Sequence, residues 1–335
     1  MLVKNEFYPT PQKLLKEIFA GMDWKDIRTV LEPSAGKGDI VQFLMEYGNG
    51  NVRGYRYSKN LDIDCIEKDT DLQKVLRGHG YRVVHDDFLT FHTFKEYDLI
   101  VMNPPFSNGD KHLLKAIDMQ KEGGSIICIL NAETIRNPYS LVRKELLQKL
   151  EAYHADISFF TGAFEQAERK TSVEVAVIKV SIPKKEKTSR IFSELKTAYY
   201  MDGIKQEENS LCINDFVKAT VKQYELEVDA GIQLIREYQA MAPSLMSSLK
   251  ENPYAKPLIE LKVNGTNNFT INDYVKNVRS KYWNALFQDV RFTGNMTTNL
   301  LDSYRKKVDE LSEYDFSLYN IYSLQLEMSK NLTEG

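Results

Sequence analysis

The stretch Tyr97-Asp98-Leu99-Ile100-Val101-Met102-Asn103-Pro104-Pro105-Phe106 decides how this chain is read. Leu99 to Met102 is a short apolar run without helical spacing, the pattern of a strand buried on both faces. The four residues after it end that strand abruptly. Asn-Pro and Pro-Pro linkages hold the backbone extended and stiff, and proline has no N–H to continue a ladder. Ligands of open α/β sheets gather where parallel strands give way to their loops. Asn103 offers a side-chain carbonyl there, Pro104 a backbone carbonyl, and Phe106 a flat apolar face. Two acceptors beside an aromatic plate suit a planar amino group.

Working outward, short apolar runs alternate with amphipathic stretches from about residue 26 to 182. Strands are predicted at 29–31, 64–66, 82–84, 98–101, 125–130, 157–160 and 173–180. Helices are predicted at 11–21, 39–47, 70–79, 110–121 and 139–150. The alternation predicts a Rossmann-like, doubly wound, mostly parallel sheet of seven strands. The last run, from Val173, partly alternates, as a final antiparallel strand does. Pro183-Lys184-Lys185-Glu186-Lys187 breaks the pattern, which divides the chain into 1–185 and a mainly helical 190–335. In that second part a helix is predicted from Asp215, capped by Asn214 and stopped by Pro243. A strand at 258–263 turning at Asn264-Gly265, and helices at 273–287, 298–312 and 316–331, complete it. The last segment runs almost to Gly335 without a closing element, which leaves room for truncation there.

Composition narrows the class. The chain has 335 residues, 42% of them hydrophobic, and a net charge of −3. No run of 18 apolar residues reads as a transmembrane helix, and the start lacks the apolar segment of a signal peptide. Cys65, Cys128 and Cys212 are far apart and lack metal-ligand spacing, so a cytoplasmic chain without disulfides or a metal centre is expected. Net charge neither requires nor forbids a nucleic-acid partner, because that needs a local basic face.

Three further strand ends carry acids. Leu31-Glu32-Pro33-Ser34-Ala35-Gly36-Lys37-Gly38-Asp39 joins the first strand to a helix, and its small residues let a ligand approach the backbone. Glu32 inside that turn repels a pyrophosphate and attracts a cation; the alternative is a plain strand–helix turn. Glu67 ends the second strand, either as a ribose-binding acid or as a surface acid beside Lys68. Asp87-Phe88 follows the third strand, as an adenine contact or a helix cap.

Taken in order, these pieces resemble class I S-adenosylmethionine-dependent DNA adenine-N6 methyltransferases, in the gamma arrangement of the TaqI group. The resemblance covers residues 7–182. It implies S-adenosyl-L-methionine as cofactor, double-stranded DNA as partner, and methylation of the N6 amino group of a flipped adenine. Phe7-Tyr8-Pro9-Thr10-Pro11 looks like the N-terminal cofactor motif, with Thr10 near the methionine carboxylate. Glu32, Pro33, Ser34, Ala35, Gly36 and Gly38 match the methionine turn, Glu67 the ribose acid, and Asp87 and Phe88 the adenine contact. Asn103, Pro104, Pro105 and Phe106 match the catalytic tetrapeptide. Phe164 resembles the aromatic that stacks on the flipped base opposite Phe106, or else is a core residue. The long loop 48–63 and the insertion 165–171 depart from the compact pattern.

More weakly, the second part resembles helical extensions of phage and mobile-element methyltransferases. Its candidate DNA contacts are Lys276, Arg279 and Lys281, near Trp283, and Arg305-Lys306-Lys307. The alternative is a solvated helix face with Trp283 in a core. The resemblance also leaves room for a separately encoded restriction or specificity subunit as partner. Other acceptors stay open, since the tetrapeptide also serves protein glutamine amides and guanine N2 in RNA. A non-catalytic nucleic-acid-binding subunit of the same fold is open too. No cysteine follows a proline, which disfavours cytosine-C5 chemistry.

Overall fold

The computed structural model describes residues 9–48, 61–164, 173–185, 216–245, 259–293, 302 and 304–333. By internal packing the chain divides into two units, Met1–His92 with Glu96–Lys185, and Thr93–Lys95 with Glu186–Gly335.

The first unit is built on seven strands: β1 (Thr29–Glu32), β2 (Asp62–Ile66), β3 (Arg82–His85), β4 (Leu99–Met102), β5 (Gly124–Asn131), β6 (Asp156–Phe160) and β7 (Val175–Ile182). Their order is β3-β2-β1-β4-β5-β7-β6. The first five are parallel, and β7 runs antiparallel to both β5 and β6. This is the doubly wound, mostly parallel sheet expected from the alternation, with the expected antiparallel last strand. Helices α1 (Gln12–Ile18), α2 (Asp39–Gly48), α3 (Thr70–Gly78), α4 (Gly109–Met119) and α6 (Leu141–Ala152) fall on the predicted segments. A short α5 (Ala132–Arg136) follows β5 and was not predicted.

Strand periodicity sorts the core. Val30, Leu99, Val101, Ile127, Ile129, Val175 and Val177 take alternate positions on their strands and share one cluster with Leu15, Ile18, Phe19 and Leu44 of the first two helical segments. Burying each such side chain stabilises by roughly 1.5–3 kcal/mol. All four residues of β4 are buried. At the opposite end of β4 from the tetrapeptide, Asp98 ties two strands together. Its Oδ2 accepts from the Arg28 amide at 2.9 Å, the Thr29 amide at 3.1 Å and the Thr29 hydroxyl at 3.0 Å.

The helical unit contains α7 (Phe216–Leu245), α8 (Ile271–Gln288), α9 (Val290–Thr293), α10 (Val308–Leu311) and α11 (Leu318–Thr333) among the described residues. Val221, Tyr224, Val228 and Ile235 form the buried stripe of α7 and pack with Val275, Val278, Tyr282, Trp283 and Leu286 of α8. Trp283 is fully buried and meets Phe316 edge-on at 5.1 Å. A capping box between Thr270 and Asp273 starts α8.

Three expectations for this unit are corrected. Pro243 lies inside α7, which runs on to Leu245. So close to the end, a proline forfeits few helical hydrogen bonds. Residues 259–263 form no strand, only a bridge between Val263 and Thr266 around a turn in which Asn264 and Gly265 have φ of 49° and 79°. The predicted helix 298–312 is interrupted: among its described residues 302, 304, 305 and α10 (Val308–Leu311) are helical, with a turn at Lys306 and Lys307. Asn214 lies outside the described residues.

Removing the Asp98 carboxylate leaves the strand-end amides of Arg28 and Thr29 without their acceptor. Asp98→Ala is expected to lower unfolding free energy by about 2–3 kcal/mol, read from urea denaturation; an unchanged midpoint contradicts the tie.

Candidate active site

The strand order reverses direction between β1 and β4, so their carboxyl ends open on the crevice where such sheets bind ligands. β1 delivers Glu32 to this point. With Leu31 opposite Ile100 in the ladder, Glu32 sits two residues short of Asn103 across neighbouring strands.

Glu32 is 1% exposed. The Val41 amide, in the first turn of α2, donates to it, but Oε2 has no hydrogen-bond partner. Burial, then the negative charges of Asp39 and Glu67, push its pKa well above the usual carboxylate range. A buried carboxylate oxygen facing other acids without a cation is costly, and invites a positively charged ligand.

The turn after Glu32 is tight. The Gly38 amide donates to the Ala35 carbonyl at 2.8 Å, and the Ala35 amide to Ile66 at 3.0 Å. Gly38 has φ of 93°, and a Cβ there would come within 2.7 Å of the Tyr81 ring. Both facts require glycine. Pro33, Ala35, Gly36 and Gly38 are buried, while Ser34 is half-buried.

Glu67, half-buried at the end of β2, grips this turn. Its Oε2 accepts from the Gly36 amide at 2.7 Å and its Oε1 from the Asp69 amide at 2.8 Å. The Lys68 amide bonds this carboxylate as well, and the acceptor capacity that remains suits a ligand donor. Burial raises the Glu67 pKa, and the amides of Asp69 and Gly36 hold part of that rise back. Asp87, after β3, is exposed enough to be reached. Its Oδ2 lies 2.8 Å from the Lys68 ammonium, and this bond first, then the Leu89 amide and the Lys68 charge, hold its pKa below normal against partial burial.

On the acceptor side, the Asn103 Nδ2 donates to the Thr10 hydroxyl at 3.1 Å. That bond joins residues 93 positions apart and turns Oδ1 away from Thr10. Thr10 is buried. The Asn108 amide donates to the Pro105 carbonyl at 3.1 Å, folding the chain from the tetrapeptide into α4. Phe106 is half-buried against the core cluster of β1, β4 and β5.

Two aromatic expectations are corrected. Phe164 is 0% exposed and belongs to the apolar core with Val175 and Phe19, so its ring has no face open to a base. Phe88 is 1% exposed, enclosed by the His112 ring at 5.6 Å and the Lys115 ammonium at 5.2 Å. It supports the turn that carries Asp87 and presents no open ring face. The structure therefore brings together Thr10, Glu32, the 33–38 turn, Glu67, Asp87 and Asn103 to Phe106 along one sheet edge.

The candidate DNA contacts of the helical unit fare differently. Arg279 is 4% exposed, its Nη2 2.9 Å from Asp315 and its Nη1 3.2 Å from the Glu313 carbonyl. It is a buried structural pair, which corrects its expected contact role. Lys276 is ion-paired with Glu313, and Lys281 lies 2.7 Å from Glu227. Each of these cations is matched by an acid. Arg305 lies 3.6 Å from Asp302.

Sequence reading missed the residues that hold the acids in place. Gln73 donates to the Glu67 carbonyl at 2.6 Å, and Asp69 caps α3 through the Asp71 and Leu72 amides. The cap had a visible signal, an Asp immediately before a helical run. Gln73 had none. Among the described residues no group of three or more His, Cys, Asp or Glu is placed to hold a metal ion. No helix among them is long and apolar enough to cross a membrane.

No protein-family model and no curated protein matches this chain. Solved structures do. A type I restriction-modification methyltransferase subunit from Streptococcus thermophilus is 17% identical over 53% of this chain and 46% of its own, with a TM-score of 0.42. A modification subunit of a putative type I restriction enzyme from Vibrio vulnificus is 16% identical over 55% and 46%, TM-score 0.41. A putative class I S-adenosylmethionine-dependent methyltransferase from Listeria monocytogenes is 10% identical over 71% and 73%, TM-score 0.42. The chain spans about half the length of the first two. At these scores the likeness adds no weight to any reaction or substrate.

The acids make a stability prediction. Folded Glu32 keeps its proton to higher pH than the unfolded chain does, so the native state binds more protons above the ordinary carboxylate range. Stability of the ligand-free protein is then expected to fall as pH rises from that range toward the raised pKa of Glu32, with Glu67 acting in the same sense. Glu32→Gln should remove most of that slope in urea midpoints measured at successive pH values. A slope retained in the variant contradicts the assignment.

Proposed function

We propose that this chain transfers a methyl group from S-adenosyl-L-methionine to the N6 amino group of an adenine turned out of double-stranded DNA. The observation that carries the reading is the pairing of two half-sites at one switch point. A buried Glu32 oxygen without a partner ends β1, and an Asn103 amide oriented by Thr10 follows β4.

The residues fit the cofactor chemically. Glu32 takes the methionine ammonium, the Ser34–Gly38 turn accommodates close approach, and Glu67 accepts from the ribose hydroxyls. Asp87 accepts from the adenine amino group of the cofactor, and Thr10 lies on the methionine side. When bound, S-adenosylmethionine supplies an electrophilic methyl group on sulfur.

The chain's own work is done on the acceptor. An exocyclic amino nitrogen delocalises its lone pair into the ring and is a poor nucleophile. Hydrogen bonds from its two protons to Asn103 Oδ1 and the Pro104 carbonyl draw the nitrogen toward a pyramidal shape, freeing the lone pair. Those acceptors are fixed before the substrate arrives, which is where positioning lowers a barrier. Pro104 and Pro105 keep the backbone carbonyl from turning away, and Phe106 stacks on the base. As the N–C bond forms the S–C bond breaks, a neutral thioether leaves, and the proton that the methylated nitrogen sheds passes to water; no covalent intermediate is needed, and the buried Cys65 and Cys128 take no part.

Sequencing N6-methyladenine in DNA from cells expressing the chain tests the reading and yields the target sequence. A labelled-methyl assay offering duplex DNA, ribosomal RNA and release factor side by side separates the acceptors. Methylation of RNA or protein with DNA untouched overturns the choice of adenine. Asn103→Ala is expected to lose methyl transfer by at least about a hundred-fold while cofactor affinity, read by calorimetry, stays near wild type. Retention of most activity removes Asn103 from its role.

A further inference from the structure

We infer that Tyr139 and Leu141 form a wedge that enters the DNA duplex beside the target and fills the space left by the extruded base. The inference rests on the adenine-in-DNA reading above and extends it to residues outside the tetrapeptide and the cofactor turn. Tyr139 and Leu141 are 72% and 84% exposed, the two most exposed large hydrophobic side chains among the described residues. Single exposed apolar residues are ordinary, but two so close together, at the end of one short loop and the first position of α6, are not explained by packing.

The loop that displays them is rigidly built. Pro138 restricts its backbone, and Ser140 caps α6 by accepting from the Arg143 amide at 3.2 Å. Arg143 braces it from below, its Nη1 donating to the carbonyls of Asn137 at 3.2 Å and Glu133 at 3.4 Å. The same guanidinium lies 4.5 Å from the centre of the Tyr139 ring, holding one face and leaving the rest to solvent. A braced ring loses little freedom when it stacks on something flat.

Position points to the partner. β4 and β5 are parallel, so Asn131 at the end of β5 and Asn103 after β4 leave the sheet at the same edge. The loop follows α5, directly after that strand end. Arg143 also reaches to 3.8 Å from Asp110, in the first turn of the helix that follows the tetrapeptide. Through Arg143, the segment that carries the exposed pair is tied to the helix that follows the tetrapeptide, at the same edge of the sheet. A duplex that has lost a base from its stack exposes two base faces, and apolar or aromatic side chains enter such steps. Base faces are what a flat ring backed by a guanidinium stacks on.

The test uses the full chain and the target sequence found by sequencing, in two duplexes. One pairs the target adenine with thymine; the other sets it opposite an abasic site, where extrusion is already easy. In the Tyr139→Ala/Leu141→Ala variant, kcat/KM on the paired duplex is expected to fall by at least about ten-fold, with near wild-type values on the abasic duplex. Fluorescence of 2-aminopurine at the target position should drop in parallel on the paired duplex alone. Tyr139→Phe, which keeps the flat face, should stay near wild type on both. Equal loss on both duplexes, as from a structural role, overturns the wedge. So does no loss on either, as expected of a protein-docking patch, or a Tyr139→Phe defect as deep as that of alanine. If the wild-type chain methylates no DNA, the underlying reading fails, and the wedge with it, before any variant is made.

Discussion

A carboxylate oxygen buried without a partner at the centre of the sheet is the constraint on which this site turns. Isolated burial of such a charge costs on the order of several kcal/mol, which proteins usually avoid by pairing or by proton uptake. Here Glu32 is surrounded by further acids, Asp39 and Glu67, so its neighbours aggravate the cost. The turn from Pro33 to Gly38 that follows it is made mostly of small residues, with a glycine that no other residue can replace without meeting Tyr81. Glu67 in turn spends its inner lone pairs on the amides of Gly36 and Asp69, tying the ends of β1 and β2 into one surface. A cation at Glu32 would resolve the conflict.

The acceptor half is organised by a different device. Asn103 cannot be aimed by the stiff prolines alone, because its own side chain still rotates. The Thr10 hydroxyl, brought from the N-terminal segment, supplies the missing restraint. Local stiffness and one long-range hydrogen bond together define where two acceptors point. The adjoining strand β5 leads through α5 to the loop with Tyr139, so the tetrapeptide, the acids and that exposed ring all follow neighbouring exits of parallel strands.

How much of this was legible follows from where the information lies. Alternating apolar runs located all seven strands of the sheet, because burial on both faces leaves no room for polar residues. Acids at successive strand ends were visible because position along a strand maps directly onto the sheet edge. Phe88 reads in sequence as a ring cover and Phe164 as either a stacking face or a core residue, since sequence shows an aromatic residue but not which side of it is covered; the structure settles on the core for Phe164. Arg279 was misread for the same reason, its partner Asp315 lying 36 residues away on another segment. Gln73, which steadies Glu67, carried no signal at all.

In the proposed complex a cation displaces the proton that burial keeps on Glu32. Calorimetric titration with S-adenosylmethionine, in two buffers of different ionisation enthalpy at a pH below the raised pKa of Glu32, measures this directly. Net proton release on binding is the predicted result. Binding with no release, or with proton uptake, contradicts it.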